Sequence, residues 1–275
     1  MIRNIKKLVT SRMPLLSPTC CGLTAASSHI TSTAIYSGSR GQAPGRRRWG
    51  EQLQKLFITI WLCFALVIQV YAFYQPRVGD LLFQDLNCGE LCNAITGVTR
   101  GYHNSYISHV GMVVSTGQTT KVVEAIGDDV HIVSLENFLD ASTNKQGKPR
   151  VIVGRLIPKY QPLIPDAVKY AMSKVGMPYN FTFNPNNDGK TFYCSQLIYD
   201  AFASANNGKP IFKTHKMTFQ ENGQYLPAWK NYFHTLRANI PEGETGTNPG
   251  MMSRSKSIEV IYNYDGVRYN QALPN

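Results

Sequence analysis

The chain is defined first by what it has little of. No Asp or Glu occurs among the first 50 residues, and Glu51 is the first acid. The formal charge of +11 is therefore uneven: residues 1–72 hold nine Lys/Arg and one acid, a net of +8, whereas residues 73–275 hold nineteen and sixteen, a net of +3. A nucleic-acid binder carries its basic patch on the folded part, so nucleic acid is not expected as a partner. There is no Gly-rich phosphate loop and no dinucleotide fingerprint. His103, His131, His215 and His234 lack paired ligand spacing, so neither a metal site nor a cofactor is expected. No internal repeat is present, which excludes solenoids and propellers. Only six cysteines occur, and Cys20, Cys21 and Cys63 precede the globular part. Three remaining thiols are too few for a disulfide framework.

What is present begins with a long apolar run. Leu56 to Tyr74 reads LFITIWLCFALVIQVYAFY, with Gln69 the only strongly polar side chain. At about 1.5 Å per residue this helix reaches about 28 Å, enough to span a hydrocarbon core. Arg46, Arg47, Arg48 and Lys55 precede it. That asymmetry predicts a cytoplasmic N-terminus and a domain on the periplasmic or extracellular side. The segment reads either as a retained signal anchor or as the apolar region of a signal peptide cut after Ala72. The acid-free, Ser- and Arg-containing tract before it reads as a poorly folding leader, with an organellar transit peptide as a minor rival. The expected organisation is a basic leader over residues 1–55, a membrane segment over 56–74 and a folded domain over 75–275.

Within that domain, Val78-Gly79-Asp80-Leu81-Leu82-Phe83 looks like a turn entering a strand. Ile107–Val114 and Lys121–Ile126 are apolar and β-rich, separated by turn residues, and predict a hairpin. Val130–Val133 and Arg150–Leu156 read as further strands. Pro165-Asp166 opens a helix whose buried stripe is expected at Val168, Ala171, Met172 and Val175. A second helix begins near Cys194, buries Leu197, Ile198, Ala201 and Phe202, and stops at Asn206-Asn207-Gly208. Strands grouped between two helical regions point to an α+β class.

Three residues carry the expected chemistry. Cys194 falls where a loop turns into an amphipathic helix, so its thiol faces unpaired backbone N–H groups at the positive helix end. Both favour thiolate, and the same N–H groups can bind an oxyanion. A buried structural cysteine is the alternative. His109 opens the first hairpin strand, which would hold a general base in fixed orientation. Gly111, two residues on and on the same face, leaves room for another group to approach. Glu124 lies on the returning strand. A two-residue loop at Thr116-Gly117 places it directly opposite His109, a four-residue loop makes the two diagonal neighbours on one face, and a three-residue loop puts them on opposite faces. Two of these three registers let Glu124 orient and charge-stabilise the imidazole. Cys88 and Cys92 are close enough to pair, and a local disulfide at a loop–helix junction is the leading reading. Asn180-Phe181-Thr182 is a glycosylation acceptor by pattern. It lies beside the proposed cleft and is expected to be unused.

The order His109, Glu124, Cys194 resembles that of the circularly permuted papain-like amidases, in particular the YiiX-like branch of the NlpC-type superfamily. The segments that carry the resemblance are Val78–Phe83, Ser108–Val113, Val123–Ala125, Gly176–Tyr179 and Tyr193–Tyr199, and it covers roughly residues 76–240. It implies a permuted papain-like fold with an antiparallel sheet packed against helices, a Cys–His–acid triad, and hydrolysis of amide or ester bonds without a cofactor. Tyr179 would be a second oxyanion donor or a pocket wall. Relatives look like peptidases, cell-wall amidases and lipid-acting acyltransferases, so a peptide, cell-wall or lipid amide or ester is the implied substrate. A non-catalytic binding module of the same fold is the rival reading. Many relatives carry Ser-Glu after the cysteine, whereas this chain has Ser195-Gln196. The 241–249 loop looks as if it borders the pocket.

Overall fold

The computed structural model describes residues 74–184 and 189–270. The leader and the expected membrane segment, apart from Tyr74, lie outside the described residues. Among the described residues no helix is long and apolar enough to cross a membrane.

The centre of the fold is a six-stranded sheet in the order β10-β5-β1-β2-β3-β4. Its strands are β1 (Leu81–Gln84), β2 (His109–Ser115), β3 (Lys121–Ile126), β4 (Asp129–Ser134), β5 (Val151–Leu156) and β10 (Ile258–Asn263). Every neighbouring pair is antiparallel. Leu81, Leu82 and Phe83 are all fully buried, which is why β1 reads as a continuous apolar run rather than an alternating one. Burial of each such side chain contributes about 1.5–3 kcal/mol. The final strand, β10, pairs with β5 and covers that edge.

Helix α3 (Ile164–Ser173) and helix α4 (Cys194–Ala205) pack against each other, and their buried residues join Leu81, Phe83, Val110, Met112 and Val123 in the main core. In α4 the buried stripe is the expected one, Leu197, Ile198, Ala201 and Phe202. In α3 it begins a turn earlier than expected: Ala167 and Ala171 are buried, Ile164 and Val168 pack beside them, and Met172 and Val175 are exposed. The helix ends at Ser173, so Val175 lies beyond it. Ile164 is fixed under Gly79, where a Cβ would meet it at 2.7 Å.

A second, smaller core forms from helix α1 (Glu90–Val98) and helix α5 (Pro227–Leu236) with the chain around the short hairpin β7 (Gln220–Glu221) and β8 (Gln224–Tyr225). Phe219, Trp229, Tyr232 and Phe233 meet there largely edge to face, with Phe183 inserted among them. Cys88 and Cys92 are joined by a disulfide that ties the start of α1 to the loop before it. Two buried carboxylates lock the ends of β1: Asp80 takes Arg155 at 2.7 and 2.8 Å, and Asp85 takes Arg268 at 2.6 and 2.8 Å. Both pairs are forked, the geometry that best compensates a buried charge.

Candidate active site

The hairpin β2–β3 positions the first two side chains. Gly111 pairs with Glu124 and Val113 with Val122, and a bulge then shifts the register so that Ser115 meets Lys121. His109 and Glu124 are therefore diagonal neighbours on one face rather than directly opposite. The register at the site is the one a four-residue loop would give; the bulge takes up an extra residue at the turn. Diagonal pairs remain within reach of long side chains. Glu124 Oε2 lies 2.6 Å from His109 Nε2, and both residues are buried. The room at Gly111 is used by Phe138 of helix α2 (Leu135–Asp140): a Cβ there would meet the Phe138 ring and Val122 at 2.8 Å. The Phe138 ring centroid sits 5.8 Å from that of His109. Phe138 is held in turn through its carbonyl, which accepts from the Gln84 side chain at 2.7 Å.

Cys194 is the first residue of α4, a buried free thiol at a helix start that no side chain caps. It lines the same cleft as His109 and is one of the two neighbours that raise the His109 pKa. With Nε2 engaged by Glu124, the other ring nitrogen is the one left for the thiol. Burial by itself pushes the His109 pKa down. The hydrogen bonds from Cys194 and Glu124, together with their charges, outweigh it and raise His109 to about 10. For Glu124 burial pushes upward, and the hydrogen bonds and charges of His109 and His131 outweigh that and hold it at about 2. The pair is thus set as imidazolium and carboxylate at neutral pH.

The sequence set His131 aside, and the structure brings it to Glu124. The loop Gly127-Asp128 has two residues, with Gly127 at φ 71°, and it fixes Glu124 opposite His131. His131 Nε2 stands 3.4 Å from Glu124 Oε1, and its Nδ1 stands 2.9 Å from Asp129 Oδ1. The Gly127-Asp128 dipeptide was the signal that would have found it. His103, His215 and His234 do not join this cluster. Among the described residues no group of three or more His, Cys, Asp or Glu is arranged to hold a metal ion.

Cys194 lies where two lobes of a cleft meet, and Tyr179, Ile95 and Phe183 line both. One lobe, partly open to solvent, runs past Met217, Phe219 and Trp229 to Thr247 and Asn248 of the loop noted in the sequence. The other holds His109, Leu91, Phe181 and the disulfide. Among the described residues no Asp, Glu, Lys or Arg lines either lobe. Burial, with the neighbouring Cys194 charge, raises the Tyr179 pKa well above its ordinary value, so its hydroxyl stays protonated as a donor. The 241–249 loop is pinned to the start of α4. The Thr247 N–H donates to the Tyr193 hydroxyl at 3.0 Å, and the Thr247 and Ser195 hydroxyls are 3.0 Å apart. Gln196 accepts from the Asn180 amide at 3.3 Å. That amide also donates to the Asn184 carbonyl at 2.6 Å, and Asn180 is buried, so the acceptor pattern it heads is closed to a glycan in the folded chain.

Comparison with known proteins agrees with this architecture. A family model, permuted papain-like amidase enzyme of the YaeF/YiiX, C92 family, matches residues 75–262. The crystal structure of metalloprotein yiiX from Escherichia coli O157:H7 superposes with a TM-score of 0.56 at 22% identity, covering 69% of this chain and 98% of that one. At that identity the likeness is one of fold. No curated protein matches the sequence.

Proposed function

Because the chain belongs to the permuted papain-like amidase family, we propose that it is a cysteine hydrolase working through Cys194, His109 and Glu124. The observation that carries this reading is a buried free thiol at a helix start, lining one cleft with an imidazole that Glu124 holds at 2.6 Å. Cys194 Sγ attacks an amide or ester carbonyl carbon while His109 holds the thiol proton. The Cys194 N–H and the Tyr179 hydroxyl are the donors for the developing oxyanion. His109 gives its proton to the leaving nitrogen or oxygen as that bond breaks, which leaves a thioester on Cys194. Water then attacks the thioester with His109 as base, releasing the acid and restoring the thiol. Glu124 keeps the imidazole oriented throughout and balances its charge in the steps where it holds the proton.

The lining of the cleft favours a second reading of the substrate: an apolar acyl group, as in a lipid ester or amide. A charged cell-wall peptide seated in the lobe past Met217, Phe219 and Trp229 would find no Asp, Glu, Lys or Arg among the described lining residues to pair with, at a cost of several kcal/mol. Residues 56–74 would then tether the domain beside its substrate, on the periplasmic or extracellular side. The Cys88–Cys92 disulfide fits an oxidising compartment. Iodoacetamide labelling of the full chain, read at the Cys194 peptide by mass, tests the nucleophile. Labelling faster than a free thiol and slowed by His109→Ala supports the dyad; a free-thiol rate, unchanged in His109→Ala, refutes it. Incubation with cell-wall peptides and with phospholipids tests the substrate. An acyl-enzyme formed from lipid favours the acyltransferase or lipase reading, turnover of peptides favours the amidase, and turnover of neither favours the binding module. Protease protection of an epitope at Asn275 tests the topology: digestion only after inner-membrane lysis refutes it.

A further inference from the structure

The carboxylate that orients His109 is shared. Glu124 Oε2 meets His109 at 2.6 Å, and Glu124 Oε1 meets His131 at 3.4 Å. The ring of His131 is itself held by Asp129 at 2.9 Å. Unlike Glu124 and His109, His131 reaches solvent, with 27% of its side chain exposed. A chain of alternating carboxylates and imidazoles thus runs from the surface to Cys194. We propose that His131 is a positioning residue acting through Glu124: only the doubly protonated ring holds the carboxylate oxygen that His109 leaves free. The proposal rests on the hydrolase reading above.

The chemistry of imidazole makes this conditional. A neutral ring has one N–H, and two carboxylates compete for it. If the proton stays on Nδ1 for Asp129, the Nε2 lone pair faces Glu124 Oε1 and repels it. If it moves to Nε2, Asp129 is released and the ring loses its anchor. Only imidazolium donates to both. The surroundings favour that form. The Glu124 hydrogen bond raises the His131 pKa, burial opposes it, and Asp129 adds to the rise. From β3 the ring faces Glu124, and from its own strand Asp129. The segment on the other edge of β4, joined through Val130 and Met177, brings Tyr179, which stays protonated. From α2 come Glu136 and Asp140, and neither pairs with His131. Deprotonation of His131 should therefore loosen Glu124 at a pH above the ordinary histidine value.

Imidazole ¹⁵N NMR of the full chain tests this without a substrate. The His131 midpoint is expected above 6.5. The His109 Nε2–H resonance is expected to step at that same midpoint, and the step should vanish in His131→Gln. His131→Ala should slow Cys194 alkylation about tenfold below the ordinary histidine pKa, through loss of the 3.4 Å ion pair that steadies the carboxylate. His131→Gln, whose amide N–H can still reach Glu124, should restore most of it. A His109 resonance that stays flat through the His131 titration overturns the proposal. So does an equal loss of rate in the Ala and Gln variants, or a His131→Ala rate equal to wild type. If the wild-type thiol alkylates no faster than a free thiol, the hydrolase reading fails instead, and the NMR coupling still decides the role of His131.

Discussion

Replacing Glu124 by Gln isolates the charge of the carboxylate from its shape. Gln keeps a side-chain oxygen that can accept from His109 Nε2, where Glu124 now stands at 2.6 Å, but it no longer balances the imidazolium. A hydrogen bond to a charged group is worth about 1.5–3 kcal/mol, and one pKa unit corresponds to about 1.4 kcal/mol. The His109 pKa, held at about 10, should therefore fall by about one to two units in Glu124→Gln. The sign for stability follows from the same shift. A pKa raised on folding contributes stability in full below the unfolded value of 6.5, and that contribution is lost as pH rises through about 10. In the variant the loss still begins near 6.5 but is smaller and complete one to two units earlier, at roughly pH 8 to 9. Imidazole ¹⁵N NMR reads the midpoint of His109 directly, and urea unfolding at a series of pH values reads the linked stability. A His109 midpoint that does not move in Glu124→Gln would refute the idea that this carboxylate sustains the imidazolium.

Other perturbations test neighbouring parts of the argument. His109→Ala removes the proton carrier and should lower hydrolysis by roughly 10²–10⁴-fold with substrate binding little changed, as separate kcat and KM values would reveal. Gly111→Ala places a Cβ 2.8 Å from Phe138 and Val122 and should cost about 1–3 kcal/mol, measured as a lower midpoint in chemical unfolding. Because Phe138 neighbours His109, that variant should also slow Cys194 alkylation. Ile95→Lys puts a cation into both lobes at once, so it should depress hydrolysis of long-chain 4-nitrophenyl esters far more than of the acetate, in initial-rate comparison. Toward acid, the depressed Glu124 pKa contributes stability above 4.5 that is lost as pH falls through about 2, so Glu124→Gln should unfold less steeply than wild type across that window in circular dichroism.

How far the site was legible in the sequence depended on whether the relevant pattern was local. The helix beginning at Cys194 is announced by its apolar spacing and ended by Asn207 and Gly208 at positive φ, so the position of the thiol at a helix start follows from a dozen residues. That His109 and Glu124 share a face is a matter of parity along two strands, and parity survives a change of register by two. The register itself was not legible. A bulge beside Ser115 takes up the extra residue of the turn, and bulges answer to the packing of the whole sheet rather than to the turn sequence.

What only the tertiary structure decided are the contacts between segments far apart in the chain. Phe138 fills the space that Gly111 leaves, and Gln84 holds its backbone from a strand more than fifty residues away. The aromatic side chains of Phe183, Phe219 and Trp229 line the cleft and make it apolar, yet no local period joins those three positions. His131 looked like an ordinary strand histidine until β4 was laid against β3 and its ring met the free oxygen of Glu124. The α3 stripe came out one turn early because the helix end at Ser173 and the close contact of Ile164 with Gly79 set it, not the apolar spacing alone. Periodicity and turn residues are fixed by the conformation of a few neighbouring residues and so can be read from the chain. A shared carboxylate or a cleft wall exists only after distant segments have packed, and the sequence records it as isolated residues with nothing to link them.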